Sequence, residues 1–124
     1  MLQTISFVGS VLAGSEKVLV SRELGFPFKI LKLKANFSLN QNRTVQNRFF
    51  LSYDAEAPSA GHPAGSNLLQ FVSNQDYCVG DDDSKTFDVN IESEDAPSWL
   101  KIHATNSDGF AHDVDCQITI DVST

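Results

Sequence analysis

The chain has few of the residues that staple small folds or hold metals: 2 Cys, 3 His, 1 Trp and 1 Met among 124 residues. Two cysteines cannot make a disulfide scaffold, and a chain of this length buries roughly two-thirds of its unfolded surface without one. No apolar run is long enough to span a bilayer as a helix, so no membrane partner is expected. Basic residues are scarce as well, 9 against 16 carboxylates, and the net charge of −7 argues against nucleic acid as a partner. What remains, 41% hydrophobic and 20% charged, is the composition of one globular domain spanning residues 1–124.

The N-terminus carries no Lys or Arg before Lys17, and its apolar run is broken by Gly9, Ser10 and Gly14. That makes a poor secretory signal, so the sequons at Asn36 and Asn42 carry little weight. Cys78 and Cys116 are then expected as free thiols, although spacing alone leaves a bridge between them open. Charge is unevenly spread: residues 1–53 hold seven Lys/Arg against Glu16 and Glu23, and residues 54–124 hold Lys85 and Lys101 against 14 carboxylates. Two arrangements fit this split. Either a basic face steers onto an acidic partner, or antiparallel pairing interleaves the two halves.

The dominant period is two. Val114, Cys116, Ile118, Ile120 and Val122 alternate with Asp115, Gln117, Thr119 and Asp121, as a half-buried strand requires. Phe87–Ile91 and Leu100–Ala104 repeat the alternation, with Trp99, Lys101 and His103 on the outward parity. The stretch from Phe26 to Leu39 changes parity near Ile30-Leu31, which predicts a bulge there. Val45–Tyr53, Asn67–Ser73, Leu2–Val8 and Lys17–Val20 complete about eight strands, with no convincing helix. The fold class expected is all-β: an antiparallel sandwich of jelly-roll type. Asp108-Gly109 reads as a hairpin turn, and centring it on Gly109 sets Ile102 opposite Cys116 and His103 opposite Asp115. Residues 54–66 hold ten Ala, Pro, Ser or Gly in thirteen and make a long loop.

The parts of most catalytic sites are missing. There is no G-x-S-x-G elbow and no glycine-rich phosphate cradle, and His62, His103, His112, Cys78 and Cys116 lack the spacing of zinc ligands. No enzyme, cofactor or metal is therefore expected. Three constellations remain. Asp81-Asp82-Asp83 offers oxygens to a hard cation but lacks the calcium-loop pattern, and reads as solvated charge. Lys32, Lys34, Arg43 and Arg48 form a candidate interface patch. Trp99, Lys101 and His103 form a candidate sugar platform, which gives the alternative function of a carbohydrate-binding module.

The order of Phe26-Pro27-Phe28-Lys29-Ile30-Leu31-Lys32-Leu33, Phe49–Asp54, Asn67–Phe71, Leu100–Asn106 and Cys116–Ile120 resembles small all-β virion proteins of tailed bacteriophages, the capsid decoration or head-fibre type. The likeness covers about residues 24–122 and lies in the order of strands and loops. It implies a structural protein assembled in the host cytoplasm onto a virion. Its implied partners are a major capsid or other virion protein and further copies of itself, as a trimer. It also implies that residues 1–25 act as an N-terminal docking arm.

Overall fold

The computed structural model describes residues 1–93 and 97–122. Eight strands form in order: β1 (Leu2–Val11), β2 (Glu16–Val20), β3 (Phe28–Phe37), β4 (Val45–Ser52), β5 (Ser66–Asn67), β6 (Asp83–Ser93), β7 (Trp99–Asn106) and β8 (His112–Val122). One helical turn, α1 (Gln70–Ser73), separates β5 from β6. The strands make two antiparallel sheets, ordered β1-β8-β3-β6 and β2-β7-β4-β5. The chain is thus one long hairpin, pairing β1 with β8, β2 with β7, β3 with β6 and β4 with β5, rolled so that alternate pairs fall in opposite sheets. That order is a jelly roll.

Alternation decides which side chains meet between the sheets. Phe7, Ile30, Leu33, Ala35, Cys116, Ile118 and Ile120 from one sheet face Val45, Phe49, Leu51, Leu100, Ile102 and Ala104 from the other, all buried. Truncating any of the large ones, Ile102→Ala for example, should cost about 2–5 kcal/mol in a urea titration. The bulge expected at Ile30-Leu31 is present: the register of β3 against both β6 and β8 shifts between Ile30 and Lys32.

Two expectations need correction. Asp108-Gly109 does not make a hairpin, because β7 and β8 lie in different sheets. Ile102 pairs with Leu19 and Phe49, His103 with Val18 and Arg48, and Asp115 with Val8 and Asn36. The turn crosses between sheets, braced by the Asn106 amide, which donates to the carbonyls of Phe110 (2.7 Å) and Val11 (3.2 Å). Second, Asn67–Ser73 is not a strand. Leu68 and Leu69 are both fully buried, which alternation forbids, and the Asn67 side chain accepts the Leu69 N–H at 3.1 Å to turn the chain. Residues 1–25, expected as a docking arm, contribute β1 and β2, and each forms an edge of one sheet.

The return of the 54–66 loop into β5 passes so close to β4 that it requires glycine. Gly65 has φ +126°, and a Cβ there would collide with the Leu51 carbonyl. Gly65→Ala is expected to cost roughly 1–3 kcal/mol, read from the shift of the urea midpoint.

Candidate functional site

The polar chemistry of the molecule collects on the outer face of the β2-β7-β4-β5 sheet. Pairing sets Val20, Lys101 and Phe50 side by side there, and Val18, His103 and Arg48 in the next row. The 54–66 loop folds over this face through Asp54 and His62, with Pro63 buried, and Lys101 is 0% and His103 2% exposed. Trp99 is half-buried. Lys101 and His103 of the candidate sugar platform therefore lie under a cover: parity sends these side chains outward, and a loop of the same chain occupies the space that solvent would fill.

Two polar clasps fasten the cover. Lys101 Nζ donates to Asp54 Oδ1 at 2.7 Å, and Asp54 also accepts the Glu56 N–H at 3.0 Å. These hydrogen bonds, the one from Lys101 foremost, hold the Asp54 carboxyl below its ordinary range. The second clasp is a relay of three side chains. Glu16 Oε1 lies 3.0 Å from His103 Nε2 and accepts the Gly61 N–H at 2.6 Å. His103 Nδ1 lies 3.0 Å from His62 Nδ1, with the rings edge to face. Burial, outweighing the bond to Glu16, pushes the His103 pKa down, so its ring is neutral at pH 7. Glu16 is ionised there, because the hydrogen bond from His103 and then that from Gly61 lower its pKa. One arrangement of protons satisfies all three groups: His103 donates Nε2–H to Glu16, and its bare Nδ1 accepts Nδ1–H from His62.

Arg48 lies beside this relay and is spent internally, donating to Gln46 Oε1 (2.8 Å) and Thr105 Oγ1 (3.3 Å) with Tyr77 5.3 Å from its guanidinium. Burial draws its pKa down. The four residues expected as one basic patch are not brought together. Lys32 and Lys34 project from β3 on the outer face of the other sheet, and Arg43 is exposed at the tip of the β3–β4 turn. The charge halves interleave: basic β3 lies between β8 and β6, with Lys32 opposite Asp88, and Lys29 opposite Asp121 and Glu92.

Of the other candidates, Asp81 and Asp83 spend a carboxylate oxygen each on the backbone, Asp81 on Asn42 N–H (3.3 Å) and Asp83 on Asp81 N–H (3.0 Å). Among the described residues, no three His, Cys, Asp or Glu side chains are grouped to hold a metal ion. His112 Nε2 meets Asp108 Oδ2 at 2.8 Å and braces the β7–β8 turn. Cys78 and Cys116 are free and buried, and burial pushes the Cys78 thiol up to about 12. A cleft of about 600 Å³ lined by Arg43, Asp76, Tyr77, Lys85 and Phe87 opens beside β6. Glu16, Asp54 and His62 were not singled out as clasp residues by sequence reasoning: each is far from its partner in the chain, and no spacing links them.

The fold and this covered face define an antiparallel jelly-roll sandwich. No family model matches the chain, and no curated protein matches it. Among solved structures it is similar to infectious bursal disease virus VP2 in a subviral particle, with a TM-score of 0.52 at 12% identity. That match covers 98% of this chain and 32% of the VP2 chain, so this chain spans about a third of that protein. A structure of the Gx strain of the same virus follows at a TM-score of 0.40 and 11% identity, over 97% of this chain and 32% of that one. The mitogen derived from Yersinia pseudotuberculosis aligns over 99% of this chain and 88% of its own, at a TM-score of 0.37 and 11% identity.

Proposed function

We propose that this chain is a non-enzymatic structural component of a virus particle, of the type that decorates a bacteriophage capsid, and that it acts through repeated protein–protein contacts. The observation that carries the reading is the jelly-roll strand order, which overlays VP2 in its subviral particle along 98% of the chain. The covered face supports it: Lys101, His103 and Arg48 spend their hydrogen bonds holding the protein's own loop and strands together. A modest contact per copy becomes strong when many copies bind one lattice.

In this reading Lys32, Lys34 and Arg43 are the basic groups left to meet an acidic neighbour, and Arg48 is not. The decisive experiment is mass spectrometry of gradient-purified particles from the source of this sequence. The chain is expected in stoichiometric amount; its absence from particles would overturn the proposal. Lys32→Gln/Lys34→Gln should then weaken co-sedimentation with those particles by about tenfold or more, with a nearly unchanged melting curve.

A further inference from the structure

A sheet edge is a row of unpaired main-chain donors and acceptors, and proteins guard such rows with charge, proline or shortness. Three of the four edges here are guarded. β5 has two residues, β2 carries Glu16 and Lys17, and β6 carries Asp83, Lys85, Asp88 and Glu92. The fourth, β1, is ten residues long with no charge and no proline. It also exposes Leu2 (66%) and Val8 (74%).

The direction of its main-chain groups follows from one contact. Met1 O accepts the Val122 N–H, so odd-numbered residues of β1 bond to β8 and Leu2, Thr4, Ser6, Val8 and Ser10 aim theirs at the open edge. The side chains of these residues stand on the outer face of the sheet, where Thr4 meets Thr119. Charge on this face is held one strand back from the open edge: Asp121, Asp115 and Asp113 of β8 lie opposite Leu2, Val8 and Ser10, and Asp121 is paired with the Met1 ammonium at 2.8 Å. On the core side Arg22 donates to Gln3 at 3.1 Å, and Lys17 reaches toward Gly9.

We infer that the open edge of β1 binds β1 of a second copy of this chain, antiparallel about a two-fold axis through Ile5. The pattern is its own complement. Reading Leu2, Thr4, Ser6, Val8 in reverse gives apolar, hydroxyl, hydroxyl, apolar again. Pairing about Ile5 sets Leu2 opposite Val8 of the second copy and Thr4 opposite its Ser6, with the outward-aimed groups of these four residues bonded and those of Ser10 beyond the paired stretch. A foreign strand would need no such symmetry. An uncharged seam also suits a self-contact in a chain of net charge −7, whose copies repel elsewhere. The two β1-β8-β3-β6 sheets become one continuous sheet. The inference stands on this edge geometry and not on the virion reading, and it replaces the trimer that the bacteriophage resemblance implied.

The test is absolute mass by light scattering over a hundredfold concentration range. The full chain is expected to reach twice the 13.6 kDa of one copy. Ser6→Pro removes an N–H aimed at the open edge and no bond to β8, so it should give a folded monomer. Thr4→Lys/Ser6→Lys opposes like charges across the seam and should also give a monomer, whereas Thr4→Glu/Ser6→Lys opposes Glu to Lys and should keep the dimer. A wild-type monomer at every concentration, a trimer, or a dimer indifferent to the charge swaps would overturn the inference.

Discussion

Asp54→Asn is expected to lower the melting temperature by several degrees, whereas Lys101→Met leaves stability unchanged or raises it by about 1–4 kcal/mol. The asymmetry follows from where the two ends of the ion pair lie. Lys101 is fully buried between Val20 and Phe50 under the loop, and its ammonium donates to Asp54 at 2.7 Å, while the Asp54 side chain is 43% exposed. Removing the carboxylate strands a charge that water reaches poorly. Removing the ammonium leaves a carboxylate that water solvates, and methionine fills the slot with no charge to desolvate. The double variant should therefore melt near Lys101→Met and well above Asp54→Asn. Urea titrations of the four proteins decide it. A silent Asp54→Asn would mean that Lys101 has a second acceptor and that this clasp does not hold the loop.

Most of the fold was legible because alternation fixes which face of a strand is buried. Cys116, Ile118 and Ile120 are buried as the period of two requires, and the parity change at Ile30-Leu31 is a register shift. Alternation does not choose partners, however. An Asp-Gly pair between two alternating segments looks like a hairpin whether or not the chain crosses to the opposite sheet there, so His103 was matched to Asp115. The chemistry of that match was right and its partner wrong, since the carboxylate beside His103 is Glu16. The covered site was illegible for a related reason. Parity says that Lys101 and His103 leave the core, and the composition of residues 54–66 says that they make no core of their own. Neither records that this loop lies on top of those side chains. Only the tertiary fold brings Gly61 to Glu16 and His62 to His103.

Acid should release that loop. The Nδ1···Nδ1 contact of His62 and His103 holds a single proton, so protonating His103 on Nδ1 removes the acceptor and sets two N–H groups head to head. The ionisable groups around His103 are Glu16 from β2, Arg48 from β4 and His62 from the loop; Arg48 and His62 oppose charge on its ring, and Glu16 favours it. His103 has a folded pKa below its ordinary value, so the unfolded chain binds its proton first. The folded state therefore loses stability as pH falls below about 6.5. Glu16 has a depressed folded pKa too, and its contribution is lost at lower pH, as the medium falls through that value. Both act in the same direction. Wild-type melting temperature should fall between about pH 7 and pH 5, and protection of the Gly61 amide against hydrogen exchange, relative to its intrinsic rate, should fall with it. His103→Gln keeps a donor for Glu16 and removes the titrating ring, so the decline should flatten in that variant. An equal decline in both proteins would assign the acid sensitivity to groups outside the relay, and a Gly61 amide that stays protected at pH 5 would show that the loop is held without it.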